Sequence, residues 1–190
     1  MTCAVLDACV LIGSVRRHAL LMFAHAEAYE PVWSNTILQE VRHNLPKALG
    51  NSGLDTASQQ QHAEHICDLL QHAFPGALTS APAQHHNQPR LPDPDDAHVL
   101  ALAIACGADT IVTENIRDFP KPVLSQLGLR AIRTDDFLVE LADQKPDQAI
   151  KAFQFLTDIL MGEGFTAEDI YATFHRVGLK KLTRTLQKIT

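Results

Sequence analysis

Six residues offer side-chain oxygens of the kind that hold a hard cation: Asp7, Glu40, Asp93, Asp96, Asn115 and Asp118. Carboxylates packed together repel one another and stay protonated unless a divalent cation makes the ionised set favourable. An all-oxygen donor set with few direct contacts and retained waters suits Mg²⁺ or Mn²⁺. Such a centre hydrolyses phosphodiesters by polarising the phosphoryl oxygen and lowering the pKa of a bound water, and it needs no covalent nucleophile. The chain accordingly contains no GxSxG, no GxxxxGK[ST] and no GxGxxG. Each oxygen also has a local reading. Asp93 can cap a helix with Pro94 at its first position and Asp95 and Asp96 in its first turn, Asp7 can cap the helix after it, Glu40 can be a solvated acid near His43 and Asn44, and Asn115 or Asp118 can form a turn.

The local readings are tested by where the elements place these residues. Residues 2–6 are a short apolar run that stops at Asp7, and residues 8–28 read as one helix with Val10, Leu11, Val15, Leu20, Leu21 and Phe23 as its apolar positions. A second strand is predicted at 30–33. Ser34 or Asn35 then caps a helix whose apolar face is Ile37, Leu38, Val41 and Leu45, ended by Pro46 and Gly50. Residues 54–73 form a partly exposed helix, and 77–92 a proline-broken connection with a brief strand near 77–79. The helix opened by Asp93 runs to Gly107, followed by a buried strand at 110–113, a turn at 114–118, a helix from Pro120 and a strand at 129–132. Short strands alternating with helices predict an α/β fold whose parallel sheet is covered on both faces. In such sheets ligands bind outside the carboxyl ends of the strands. Asp7, Asp96 and the segment from Asn115 to Asp118 map to that edge, and Glu40, one or two turns into its helix, can reach back to it. From Asp135 onward the pattern is helical only, with Thr166 and Asp169 as a capping box, so residues 1–144 are expected to form the domain and 145–190 a helical extension.

The 46% hydrophobic and 20% charged composition fits a globular protein, and no apolar run is long enough to span a bilayer. The N-terminus places its charges after its apolar stretch, the reverse of a signal peptide, so a cytoplasmic location is expected. Cys3, Cys9, Cys67 and Cys106 lack a CxxC pair and are expected to be reduced and buried. The net charge of −6 argues against wholesale electrostatic capture of nucleic acid. The balance is uneven, with nine basic against seventeen acidic residues before Lys145 and seven against five from it onward. Within the basic part, GLKKLTRTLQKIT is an amphipathic helix with Lys181, Arg184 and Lys188 on one side and Leu179, Leu182, Leu186 and Ile189 on another. That basic side is a candidate for binding a polyanion or an acidic partner segment, and Arg16, Arg17 and Arg42, on helices leading away from the acidic rim, for holding phosphates; solvated faces are the alternative. His62, His65 and His72 with Cys67, and the pair His85 and His86, lack a complete zinc-like quartet.

Taken in order, VLDACVLI, NTILQEV, DPDDAHVLALAIACGADTIVT and TENIRDF give the chain a sequence that resembles the PIN-domain nucleases, and among them the VapC-type toxins of bacterial toxin-antitoxin pairs. The resemblance covers residues 3–137. It implies a PIN-like three-layer fold and a metal-dependent endoribonuclease that acts on RNA, is neutralised by a cognate antitoxin and forms a homodimer. It places the family's acids on Asp7, Glu40 and Asp96, and the fourth ligand position on Asn115 or Asp118, with Thr113 orienting ligands or water. Many relatives carry an aspartate where this chain has Asn115. Asp93 is an outer support or a cap. A catalytically degenerate module that binds RNA or protein is the alternative, favoured by Asn115. A receiver-like phosphoacceptor domain is weakened by the lack of an early adjacent acidic pair and of a late lysine at a strand end.

Overall fold

The computed structural model describes residues 2–50, 52–80, 89–162 and 164–189. Four short parallel strands form one sheet in the order β2-β1-β3-β4, with β1 at Cys3–Leu6, β2 at Glu30–Val32, β3 at Thr110–Val112 and β4 at Arg130–Ile132. The central strands have no polar face. Ala4, Val5 and Leu6 of β1 and Thr110, Ile111 and Val112 of β3 are all fully buried, the pattern of a parallel sheet covered on both sides. The fold is thus the expected α/β arrangement, a short-stranded parallel sheet between helices, with additional helices at its C-terminal end. The brief strand expected near 77–79 is present as a parallel bridge between Trp33 and Leu78, which lengthens the sheet beyond β2.

Between β1 and β2 the structure has two helices where one is expected, α1 at Ala8–Ile12 and α2 at Ser14–His25, parted at Gly13. Helix α3 spans Asn35–Ala48, with Ser34 capping it by accepting from the Ile37 amide, and continues two residues past Pro46. Helix α4, Thr56–Ala73, packs against α3. Its His62, His65 and His72 are exposed while Cys67 is buried against the Leu38 carbonyl, so the four do not converge. His85 and His86 lie outside the described residues. A single turn, Pro94–Asp96, leads into α5 at Ala97–Cys106, which ends on Gly107 in the left-handed region at φ 67°. A second turn, Ile116–Asp118, and the short helix α6, Lys121–Ser125, lie between β3 and β4.

Helices α7 (Thr134–Gln144), α8 (Pro146–Gly162), α9 (Ala167–Arg176) and α10 (Lys180–Ile189) follow, and the Thr166–Asp169 capping box is formed. They do not stand apart. Phe153, Leu156, Ile170, Phe174, Leu182 and Leu186 belong to the same contiguous core as the sheet. Asp135 of α7 caps α10 by accepting from the amides of Lys181 and Leu182. No described helix is long and apolar enough to cross a membrane.

Candidate active site at the carboxyl edge of the sheet

The chain leaves β1 for β2 on one side and later places β3 on the other, so β1 and β3 flank the switch point where the connections part. The Asp7 amide donates to the Val112 carbonyl at 3.1 Å, which carries the β1–β3 ladder one residue past Leu6 and sets the Asp7 side chain on that seam. Asp7 is 4% exposed and occupies the N-cap position of α1, yet its side chain makes no capping hydrogen bond. Instead its Oδ2 accepts from Thr113 Oγ1 at 2.6 Å and from the Cys9 thiol at 2.9 Å. Thr113 Oγ1 in turn accepts from the Asn115 amide at 3.0 Å, and Cys9 Sγ from the Glu114 amide at 3.3 Å. One carboxylate oxygen is therefore fixed from the end of β3 and from α1, while Oδ1 has no side-chain donor among the described residues. Burial first, then the Asp7 charge, pushes the Cys9 thiol up to about 12, so the sulfur stays protonated and donates.

Asp96 also stands at a helix start without capping it. Its carboxyl is pushed up to about 6, by burial first and then by the charges of Asp7, Asp118, Asp93 and Glu40. The expected acids thus surround one another electrostatically at one edge. True capping acids behave in the opposite way: Asp55 and Asp169, each accepting amide hydrogen bonds at a helix start, are held below the usual carboxylate range. Asp93 caps the turn before α5, accepting from the Asp95 amide at 2.9 Å. Asn115 precedes the Ile116–Asp118 turn without a side-chain cap.

Glu40 reaches the cluster through a residue that sequence reasoning passed over. Its Oε1 pairs with His98 Nε2 at 2.7 Å. Burial opposes charge on that imidazole, but the Glu40 hydrogen bond and the Glu40, Asp7 and Asp96 charges outweigh it and raise its pKa. His98 Nδ1 is buried without a partner, an orphaned polar atom beside the acids. Cys9 and Glu114 were passed over as well. The available signal was position alone, since each lies within two residues of Asp7, Asp96 or Thr113.

Among the described residues no three His, Cys, Asp or Glu side chains converge closely enough to enclose a metal ion by themselves. The donor chemistry still fits a hard divalent cation held by one or two carboxylates and completed by water. The mutual repulsion recorded at Asp96 is what such an ion would relieve.

The cations differ in fate. Arg17 was a candidate for RNA contact, and the structure corrects this: it is 3% exposed, with its guanidinium turned inward to the carbonyls of Leu11 at 2.6 Å and Ile12 at 3.3 Å. It ties α1 to α2 across the Gly13 break. Arg16 lies 3.6 Å from Glu114 and donates to the Val177 carbonyl at 2.6 Å. Lys181 is paired with Asp136, whereas Arg184 and Lys188 point to solvent.

A curated relative from Mycobacterium tuberculosis, named "Putative ribonuclease VapC50", is 31% identical over 75 residues, 40% of this chain and 44% of that protein. The chain thus matches less than half the length of that relative. No solved structure matches. The family model described as PIN domain matches residues 2–117, from β1 to the turn that follows β3. With well over half of its 190 residues inside that match, the chain belongs to the PIN-domain family.

Proposed function

We propose that the protein is an endoribonuclease that depends on Mg²⁺ or Mn²⁺ and acts as the toxin of a toxin-antitoxin pair, with RNA as substrate, a cognate antitoxin as partner and a homodimer as its assembly. The observation that carries the catalytic reading is the Asp7 carboxylate, buried and clamped at the β1–β3 seam by Thr113 and Cys9, with the Asp96 carboxyl raised to about 6 beside it. Neither acid is used as a helix cap, so the fold holds both for something other than its own secondary structure.

In this reading Asp7 and Asp96 hold the cation, with Glu40, Asp118 and Asn115 completing the oxygen set. When bound, such a cation supplies Lewis-acid polarisation of the phosphoryl group and a nucleophilic water at neutral pH. Thr113 and Cys9 fix Asp7 Oδ2 so that Oδ1 keeps one direction. His98 holds Glu40 Oε1 and leaves its other oxygen for the site. Asp93 supports the turn that presents Asp96. The name of the relative supports ribonuclease activity over other phosphodiester chemistry. Residues 1–144 are proposed as the nuclease domain and 145–190 as an extension to it.

The test is cleavage of structured RNAs by purified protein in Mg²⁺, Mn²⁺ or EDTA, beside Asp7→Asn and Asp96→Asn. Activity is expected only with the cation and the native acids; cleavage that survives both chelation and substitution sinks the reading. A second reading, a PIN module that binds without cutting, rests on Asn115, an uncharged oxygen where a carboxylate is expected. It predicts RNA binding with no cleavage in either metal.

A further inference from the structure

Glu114, the residue after Thr113, is held by groups that follow β4 and by Arg16 of α2. Its Oε1 accepts from Thr134 Oγ1 at 2.8 Å and the Thr134 amide at 3.3 Å, with Arg16 Nε 3.6 Å away, and its Oε2 lies 3.9 Å from Arg133 Nη1. One carboxylate thus stands between two guanidiniums, leaving an excess positive charge beside the acidic centre. Arg16 is committed to the Val177 carbonyl, but the Arg133 side chain, at the carboxyl end of β4, is 59% exposed and among the described residues has only its long contact to Glu114. Arg117, on the turn that carries Asp118, is exposed, as is Lys121 three residues beyond Asp118. Neither has an ion-pair partner among the described residues.

A groove of about 700 Å³ continues along this flank, lined by Ile116, Lys121, Arg130, Ile132, Asp136 and Lys181. Its two acids are already matched, Asp136 by Lys181 and Glu140 by Arg130 at 2.7 Å, so Lys121 is its uncompensated charge. The opposite flank differs. It carries Glu40, Asp93 and Asp95, and Arg42 of α3 is drawn to Glu64 at 3.8 Å. A polyanion approaching a chain of net charge −6 meets repulsion from the acidic side and attraction from the β4 side.

We propose that single-stranded RNA leaves the acidic centre over the β4 flank, with its phosphates seated on Arg133, Arg117 and Lys121. This rests on the nuclease reading above for the identity of the polyanion. The track reads phosphates and not base sequence.

The experiment uses full-length protein carrying Asp7→Asn, so that RNA is bound and not consumed. The affinity of an unstructured RNA oligonucleotide, and of the DNA of the same sequence, is measured against salt concentration. Each of Arg133→Ala, Arg117→Ala and Lys121→Ala is expected to flatten the log–log salt slope by about 0.7 and to weaken binding about fourfold near physiological salt, for both polymers. Arg42→Ala and Lys47→Ala on α3 are expected to change neither. Arg133, Arg117, Lys121 and Lys47 are exposed and Arg42 is half-buried, and thermal melts check that each variant folds. With Asp7 intact, the same three substitutions are expected to raise KM and leave kcat in place. If the native protein cleaves RNA while the three slopes stay unchanged, the track is overturned and the nuclease reading stands. If the slopes change and no cleavage is ever seen, the track stands and the nuclease reading fails. Unchanged RNA binding with lost binding of an acidic protein partner overturns the track by assigning the flank to that partner.

Discussion

Asp7 and Asp96 both sit where a helix begins, and a carboxylate there has two ordinary uses, capping the backbone or binding a ligand. The sequence near each cannot separate the two, because both uses ask for an oxygen at the same place. The decision comes from residues far away in the chain: Thr113 claims Asp7 across 106 positions, and Asp118 and Glu40 press on Asp96. Replacing either acid by Asn is expected to lower RNA cleavage on the order of a thousandfold, the several kcal/mol that such electrostatic centres supply. Their effects on stability add a signature. The folded Asp96 carboxyl titrates at about 6 instead of 3.8, so the native chain keeps a proton that the unfolded chain releases. Stability without a cation is therefore lost as pH rises from about 4 to about 6. Asp96→Asn is expected to raise the melting temperature at pH 7 by a few degrees, to do nothing at pH 4, and to lose its advantage when Mg²⁺ is added. A pH-independent effect removes the electrostatic account. Thr113→Val should cost about 1–3 kcal/mol, since it strips a buried carboxylate of a donor, and cleavage should fall with it even at temperatures where the variant is folded. Cys9→Ser, which keeps a donor, should retain more activity than Cys9→Val.

The strands were legible because each has a short apolar stretch closed by a polar residue, Asp7, Ser34, Thr113 or Arg133, and the capping signals at Ser34, Asp93 and Thr166 hold in the structure. The break between α1 and α2 was not, because the apolar positions on either side of Gly13 continue without a phase change. The connection is held by a side chain and not by a pattern: Arg17 folds back onto the carbonyls that end α1. Its charge reads on paper as a surface feature, and burial holds its pKa down. Arg17→Met should destabilise the fold by about 1–3 kcal/mol, because two carbonyls lose their buried donor, while leaving the salt slope of RNA binding unchanged. Denaturant unfolding and the binding assay above separate these outcomes; a flattened slope returns Arg17 to the RNA surface. Pro46 misled in the other direction. It lies in the last turn of α3, where one lost amide bond does not end the helix, and the Leu49 amide still closes on the Leu45 carbonyl.

The charge reverses after Lys145, but composition could not show that the helices beyond it share their core with the sheet. A chain cut after residue 144 exposes the faces that Phe153, Leu156, Leu182 and Leu186 now cover, and it also loses the Val177 carbonyl that holds Arg16. Such a fragment is expected to aggregate or to bind a dye for exposed apolar surface; a monomeric fragment with a cooperative melt would show the extension to be dispensable. The same long-range ties carry a consequence in time. Asp7 is among the first residues made, whereas the hydroxyl that aims it arrives 106 residues later and the carbonyl that steadies Arg16 lies 161 residues beyond that arginine. At ordinary rates of synthesis the first interval lasts roughly 5–20 s. Throughout it the emerging chain carries Asp7 without the hydroxyl that fixes it, so on the proposed reading the site is not assembled for cleavage until β3 and the helices that steady Arg16 have been made.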